Sequence, residues 1–143
     1  MKKTFKILGI GIAALLLFGI VGFVIWASIP LSPETFALES LESDQFFGVQ
    51  DVNNRLVFTP QGTQTDTGLI LYPGGRVDYR AYASHASQIA RAGYTVVVVR
   101  MPLNFAFLDL NRASDVIQSF PNIETWAVGG HSLGGAMTAE FAF

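Results

Sequence analysis

The chain has 143 residues, of which 50% are hydrophobic and 14% are charged, and its formal net charge at pH 7 is −2. This length allows about one domain. Eleven acidic residues against nine basic ones provide no basic surface for nucleic acid. The absence of cysteine excludes disulfides, thiolate metal sites and a cysteine nucleophile. The two histidines, His85 and His131, are too few and too badly spaced for a zinc site, so no metal is expected.

The first predicted element is an uncharged run at residues 7–29, ILGIGIAALLLFGIVGFVIWASI. A membrane-spanning helix needs roughly 20 such residues, and a soluble helix is seldom apolar on every face for so long. All three lysines lie before this run, in residues 1–6, which favours a cytoplasmic N-terminus and an extracellular domain. Trp26 suits the far membrane interface. The sequence therefore predicts a single-pass anchor in the cell membrane behind a basic tail.

Cleavage of this run by signal peptidase is the alternative, and it would give a secreted protein. A signal peptide has an apolar core of about 7–15 residues and an A-x-A-like site. The run here is longer, and the best site, after Ala27, has the bulky Ile25 at its −3 position. We therefore expect an uncleaved signal anchor.

Residues 30–45 (PLSPETFALESLESDQ) carry four acids and are predicted to form a polar tether, with a helical turn starting near residues 32–34. The following stretch, FFGVQDVNNRLVFTP, places Asn53 and Asn54 between two apolar runs. Asparagine tolerates turn geometry, so we predict a hairpin with strands near 46–51 and 55–59. Residues 61–68 (QGTQTDTG) are predicted to be a polar loop.

From residue 69 onward the pattern alternates between strands and helices. Strands are predicted at 69–72, 94–99 and 125–128, and helices at 78–92 and 109–120. Asp78 is the expected cap of the first helix and Gly93 its end, while Asp109 or Asn111 is expected to cap the second. The valines at 96–99 show no polar alternation, which is typical of a strand covered on both faces. This order predicts an α/β fold with a mostly parallel sheet flanked by helices.

The last predicted strand runs into GGHSLGG, residues 129–135, which fits the pattern G-x-S-x-G. Strand, motif and helix-forming run are the context of a nucleophile elbow, so Ser132 is the candidate catalytic nucleophile. Glycines two residues before and after the serine remove side chains that would collide across the turn. The helix beginning there would direct its free N–H groups at developing negative charge, and the Leu133 N–H is the first candidate oxyanion donor.

A second donor is expected from the loop after the strand at 69–72, which reads Pro73-Gly74-Gly75-Arg76. Glycine lets the backbone approach a substrate oxygen closely. The Gly75 N–H is the preferred donor, and Gly74 and Arg76 are the near alternatives. Two glycine-rich turns, each after a predicted strand, are a stronger signal than either turn alone.

Other interpretations of these residues were weighed. Ser132 can also be interpreted as a helix cap in a glycine-rich turn. A phosphate-binding loop is excluded, because it would need a lysine and no lysine follows Lys6. The dinucleotide-binding pattern G-x-G-x-x-G is also excluded, because position 131 is histidine and not glycine. Both histidines are interpreted as structural residues, and Asp78 as a cap and not an acid. Arg76 is either an exposed loop residue or a contact for an acidic substrate, and Asn104 and Phe105 are candidate lining of the pocket.

The segments LYPGGRVDYRAY, GYTVVVVRMPLNFAF and VGGHSLGG resemble a bacterial family of membrane-anchored α/β-hydrolases, a branch akin to dienelactone-hydrolase-like esterases. The resemblance covers roughly residues 38–143. It implies an α/β-hydrolase fold behind the anchor, with Ser132 as nucleophile and the turn at Gly74 and Gly75 beside it. It further implies hydrolysis of an ester-like bond in a small-molecule substrate without metal or organic cofactor.

In this fold the acid and the histidine follow the serine in the chain. The residues after Ser132, LGGAMTAEFAF, contain neither aspartate nor histidine, and Glu140 lies on the elbow helix. We therefore expect residues 46–143 to be the incomplete first part of a longer hydrolase domain, and the 143-residue chain to be inactive alone. The alternative is a non-catalytic, membrane-tethered surface or binding protein that has an elbow without its partners.

Overall fold

The computed structural model describes residues 2–142 and begins with one long helix, α1, over Lys2–Ser28. This helix is long and apolar enough to cross a membrane, with a mean hydropathy of 2.7 over a window of 18 residues. Its side chains are exposed from residue 3 to residue 26, whereas Ala27 is fully buried. The helix therefore meets the rest of the protein at its C-terminal end.

The segment predicted as a tether, residues 30–45, contains a short helix, α2, over Thr35–Glu39. Glu34 precedes α2 in extended backbone, which agrees with a helical turn starting in this segment. Ala37 is buried, and Leu31 forms an isolated parallel bridge with Val77. The segment thus packs on the domain at two points.

Within residues 2–142, five strands form one mixed sheet in the order β1-β2-β4-β3-β5. They are β1 (Phe47–Val52), β2 (Arg55–Pro60), β3 (Thr67–Tyr72), β4 (Thr95–Val99) and β5 (Thr125–Gly130). β2 pairs antiparallel with β1 and β4, whereas β3 runs parallel to both β4 and β5. The parallel arrangement predicted from residue 69 onward is therefore confirmed.

The predicted hairpin is also confirmed, as the β1–β2 pair. Asn53 and Asn54 form its turn with φ of 54° and 58°. A two-residue turn with positive φ matches the twist of the two strands, and asparagine reaches this region more readily than most residues.

Three helices follow within the described chain: α3 (Ala83–Arg91), α4 (Arg112–Ser119) and α5 (Leu133–Ala142). The helix predicted at 78–92 begins with a 3-10 turn, Tyr79–Tyr82, that leads into α3. The Asp78 side chain accepts a hydrogen bond from the Arg80 backbone N–H at 2.9 Å, so the predicted cap is confirmed. Gly93 follows α3 with a φ of 98°, a conformation that favours glycine.

The second helix has Asn111 as its N-cap residue, which was one of the two predicted alternatives, but the expected side-chain cap is missing. The Asn111 side chain makes no capping hydrogen bond, and Asp109 pairs instead with Arg112 at 3.6 Å. The hydroxyl of Tyr72, at the end of β3, takes over this role: it accepts from the Ala113 N–H at 2.7 Å and donates to the Leu110 carbonyl at 2.9 Å. A cap supplied from a distant strand leaves no local sequence signal.

The polar loop predicted at 61–68 is shorter than expected, because β3 already begins at Thr67. Gly68 pairs with Thr95 of β4 and Trp126 of β5. A Cβ atom on Gly68 would lie 2.5 Å from the Trp126 ring. Glycine is therefore required inside this strand so that the indole can cover it, although glycine usually argues against a strand.

The hydrophobic core lies on both faces of the sheet. All five residues of β4 are buried, as the uninterrupted run of valines predicted. Val97 and Val99 pack toward Ala113 and Val116 of α4, whereas Val96 and Val98 pack toward α3. The alternation in β4 thus joins the sheet to helices on both faces. The parallel strands β3 and β5 end at the same edge of the sheet, where the candidate site lies.

Candidate active site

The turn between β5 and α5 presents Ser132 in a strained backbone conformation. Its φ is 51°, in the left-handed region, where a residue other than glycine costs about 1–3 kcal/mol. The Gly134 N–H donates to the His131 carbonyl at 2.9 Å, and the Ala136 N–H donates to the Ser132 carbonyl at 3.1 Å. Ser132 is exposed. The strand-to-helix turn thus holds a serine at the surface, as predicted for a nucleophile elbow.

Two glycines of the motif permit this turn. A Cβ on Gly130 would lie 2.5 Å from the carbonyl carbon of Gly134, and a Cβ on Gly134 would lie 2.5 Å from the Pro73 carbonyl oxygen. Both neighbours are backbone atoms that cannot swing away. By contrast, a Cβ on Gly129 would meet no atom within 4 Å. The spacing G-x-S-x-G therefore follows from the close approach of β3, β5 and α5.

The loop after β3 lies directly beside the elbow. The His131 N–H donates to the Tyr72 carbonyl at 3.2 Å, which ties the two turns together. A Cβ on Gly75 would lie 3.3 Å from Cδ2 of Leu133 and 3.4 Å from Cε1 of Phe105. The structure thus brings together the two glycine-rich turns that the sequence analysis singled out.

Hydrogen bonding separates the candidate oxyanion donors. The Gly74 N–H donates to the Tyr82 hydroxyl at 2.9 Å, and the Arg76 N–H donates to the Asn104 carbonyl at 2.8 Å. Both alternatives to Gly75 are therefore engaged within the protein. Among residues 2–142, the N–H groups of Gly75 and Leu133 have no such acceptor. These two N–H groups therefore remain available, within the described residues, to bind an oxygen atom of a ligand.

Tyr82 and His131 link the two turns through their side chains. The Tyr82 hydroxyl lies 3.1 Å from Nδ1 of His131. Because this hydroxyl accepts the hydrogen bond from Gly74, its own proton can be donated to Nδ1 when the imidazole is neutral. The His131 side chain is thus engaged with the loop after β3. His85, in contrast, is an exposed residue of α3.

The three residues proposed as pocket lining lie between the elbow and the end of α1. The Arg76 guanidinium lies 4.1 Å from the ring centre of Trp26 and donates to the Ile29 carbonyl at 2.8 Å. Asn104 Nδ2 donates to the Ala27 carbonyl at 2.8 Å. Phe105 lies beside Gly75, next to the site. The side chains of Arg76 and Asn104 therefore hydrogen-bond to backbone carbonyls at the end of α1 and immediately after it.

Asp78 is engaged as a structural group. It is 5% exposed and pairs with the Arg80 guanidinium at 2.6 Å. Burial opposes ionisation, but the hydrogen bonds and charge of Arg80 outweigh it and hold the pKa of Asp78 below its ordinary value. Such a carboxylate is a poor proton acceptor. In the described part of the chain, no three His, Asp or Glu side chains cluster as a metal site.

Sequence reasoning missed Tyr82 as a functional residue. Tyr82 falls within the helix predicted at 78–92 and was given no role in the site, whereas its hydroxyl accepts the hydrogen bond of Gly74 in the loop after β3. The only sequence signal for this contact is a tyrosine eight residues after Gly74. The residue pattern does not show that a 3-10 turn brings its hydroxyl back to the Gly74 N–H. On the same side of the elbow, a largely apolar groove of about 580 Å³ reaches from Tyr82 and His131 to Ile89.

Comparison with known proteins agrees with this geometry. A model of the alpha/beta hydrolase family matches residues 68–143, from β3 through the elbow. No curated protein matches the chain. The match covers more than half of the 143 residues and includes both glycine-rich turns. The chain therefore belongs to the alpha/beta hydrolase family.

Proposed function

We propose that this protein is a membrane-anchored serine hydrolase that cleaves an ester-like bond in a small-molecule substrate, with Ser132 as its nucleophile. One observation carries the proposal. Ser132 is exposed, with a φ of 51°, at a turn that packs against the loop of Gly75, and the N–H groups of Leu133 and Gly75 have no acceptor among residues 2–142. Membership of the alpha/beta hydrolase family supports hydrolysis as the reaction.

The chemistry follows from this arrangement. Ser132 Oγ attacks the carbonyl carbon of the ester while its proton passes to a base, and the carbonyl oxygen becomes an oxyanion. The N–H groups of Leu133 and Gly75 donate to that oxyanion, and one such donor is worth about 2.7–4 kcal/mol of transition-state stabilisation. Collapse of the intermediate expels the alcohol, and water then attacks the acyl-enzyme to release the acid.

The proposed reaction also requires a base and an acid that orients it. In hydrolases of this fold the order is serine, acid, histidine. His131 is engaged with Tyr82, and Asp78 is paired with Arg80. Neither residue is therefore assigned as the base or the acid of this proposal. The similarity of the Gly74–Gly75 turn and the elbow to dienelactone-hydrolase-like esterases supports an ester substrate.

The anchor is the second part of the proposal. Residues 7–29 cross the membrane once, with residues 1–6 in the cytoplasm and the domain outside, attached through residues 30–45. The lysines at the start of α1, before its apolar run, and the length of that run support this topology. Protease added to intact spheroplasts should digest the part after Pro30. Protection of that part together with digestion of the N-terminus would contradict the orientation.

A fluorophosphonate probe tests the nucleophile. In a version of the protein that includes any coding sequence found after residue 143, Ser132→Ala should abolish labelling. Ser119→Ala, which removes an exposed hydroxyl bonded to the Asp115 carbonyl, is the matched control and should label normally. Retained labelling of Ser132→Ala would assign the nucleophile to another serine. An unlabelled parent protein with a stable fold would favour the binding-protein alternative.

A further inference from the structure

The last turns of α1 are fastened to the loop that follows β4. The ring of Phe105 lies 6.1 Å from the rings of both Phe23 and Trp26, measured between centroids. Asn104 holds the Ala27 carbonyl, and Arg76 holds the Ile29 carbonyl and covers Trp26. Ala27 is completely buried by these contacts. The end of α1 is therefore docked on the domain through aromatic, cationic and hydrogen-bonded contacts.

This docking sets the depth of the loop in a membrane. Phe23 precedes Trp26 by three residues, which is about 4.5 Å along a helix at 1.5 Å per residue. Trp26 closes an apolar run of the length that spans a bilayer, where tryptophan prefers the interface. Because Phe105 stacks on both rings, it lies at the same level as the last turn of the run. A bilayer around α1 would therefore reach Phe105.

Phe105 also borders the candidate site. Its Cε1 lies 3.4 Å from the position of a Cβ on Gly75, whose N–H is the proposed second oxyanion donor. One aromatic side chain thus separates the oxyanion turn from α1. The next residues of the loop continue the apolar surface: Phe107 and Leu108 are 48% and 45% exposed, and Phe107 packs on Phe105 with 5.3 Å between ring centroids.

Charge at this end of the domain also fits a membrane surface. Arg100 and Arg112 line a cavity of about 320 Å³ together with Ser28, the last residue of α1. Arg112 is partly neutralised by Asp109 and Asp115 at 3.6 and 3.7 Å. Arg100, Arg112 and Arg76 are three of the six basic residues that follow Lys6 in a domain where acids dominate. Their guanidinium groups lie beside the span, and arginine forms strong hydrogen bonds with phosphate oxygens such as those of lipid headgroups.

We propose that the membrane-facing loop, residues 102–108, lies in the lipid interface, and that the site takes amphiphilic esters whose acyl chain stays in the membrane. The exposed rings of this loop then contact lipid, and a carbonyl at headgroup depth reaches the N–H of Gly75. The substrate part of this inference rests on the proposed function, whereas the position of the loop rests on the docking of α1.

The depth of the loop is measurable because the chain has no native cysteine. Phe107→Cys and Leu108→Cys, each spin-labelled and reconstituted through α1 into lipid nanodiscs, are compared with Tyr94→Cys. Tyr94 is a 39% exposed aromatic residue before β4, at the opposite end of the sheet. Labels at 107 and 108 should collide with lipid-soluble oxygen at least about twofold more than the label at 94, and less with a water-soluble nickel complex, as at the aromatic belt of membrane proteins. Equal accessibility at all three positions would overturn the proposal.

The substrate class is tested in the same nanodiscs, on the extended protein of the nucleophile test, with two fluorophosphonates that differ in alkyl length. The long-chain probe should label Ser132 roughly tenfold faster than the short-chain probe, because added methylenes concentrate it in lipid. Equal rates with both probes would overturn the lipid-substrate part. Labelling of another serine, with Ser132→Ala unchanged, would instead overturn the proposed function, and the depth measurement stands apart from that result.

Discussion

Tyr82 and His131 connect the two glycine-rich turns of the site through a pair of hydrogen bonds. The Tyr82 hydroxyl accepts from the Gly74 N–H at 2.9 Å and lies 3.1 Å from Nδ1 of His131. This hydroxyl fixes the Pro73–Gly74 peptide, which is followed by the peptide that carries the Gly75 N–H. It thereby sets the direction of the next N–H, the one that has no acceptor within residues 2–142.

Replacing Tyr82 by Phe should therefore disturb both stability and the site. The buried Gly74 N–H loses its acceptor, which typically costs about 1–3 kcal/mol. The rate of fluorophosphonate labelling at Ser132 should fall as well, because the Gly75 N–H is no longer held in place. Thermal unfolding in nanodiscs and labelling of the extended protein measure the two effects.

Tyr79→Phe is the control for this prediction. Tyr79 belongs to the same 3-10 turn, but its hydroxyl donates to Asp51 at an exposed position, 2.8 Å away. This variant should label at the parental rate. If both tyrosine variants label alike, the Tyr82 hydroxyl does not position the loop.

The glycines of the elbow are expected to differ sharply in their tolerance of alanine. Gly134→Ala places a Cβ 2.5 Å from the Pro73 carbonyl oxygen, so β3 and α5 must separate. Overpacking of this kind costs about 1–3 kcal/mol or more. Gly129→Ala adds the same methyl group where nothing lies within 4 Å, and it should be nearly neutral. Unfolding midpoints in detergent compare the two variants; equal midpoints would mean that the elbow is looser than described.

The contrast between these glycines shows what sequence alone can predict. The period of the apolar residues and the turn residues gave every strand and the order of the helices, because these signals are local. The motif also placed Ser132 at a strand-to-helix turn. Long-range contacts were out of reach: the Tyr72 hydroxyl caps a helix about forty positions away, and Tyr82 returns to Gly74. Such contacts depend on how strands are ordered in the sheet, which residue patterns do not encode.

Tyr72 should make the fold sensitive to alkaline pH. Burial is the main cause that raises the pKa of the Tyr72 hydroxyl to about 12, from an ordinary value of 10.0. The folded protein therefore keeps a proton that the unfolded chain releases near pH 10. Stability from this group is fully present below pH 10 and is lost as the pH rises through about 12.

Urea unfolding at increasing pH tests this prediction. The parent chain should lose stability across that alkaline window, and Tyr72→Phe should lose less across it, from a lower starting value because the Ala113 N–H loses its acceptor. Part of the alkaline loss should persist in Tyr72→Phe, since burial and Asp51 also raise the pKa of Tyr79 to about 12. An unchanged slope in Tyr72→Phe would show that Tyr72 does not control the transition.

The final prediction concerns β5, which pairs with β3 and presents its other edge to the surroundings within the described residues. Thr125 and Ala127 are exposed on one face of this strand, and residues 125–130 carry no charge. Natural sheet edges are usually protected by charges, bulges or covering elements. Removing α1 also uncovers Phe105, which packs on Phe23 and Trp26. We therefore predict that residues 30–143, expressed alone, will aggregate or remain loosely packed, as analytical ultracentrifugation and thermal unfolding can show.

Ala127→Lys should reduce the aggregation by placing a charge on this edge strand. Ala92→Lys adds the same charge at an exposed residue after α3 and should not reduce it. A monodisperse parent fragment with cooperative unfolding above about 50 °C, within the range of ordinary domains, would show that this edge is not a liability.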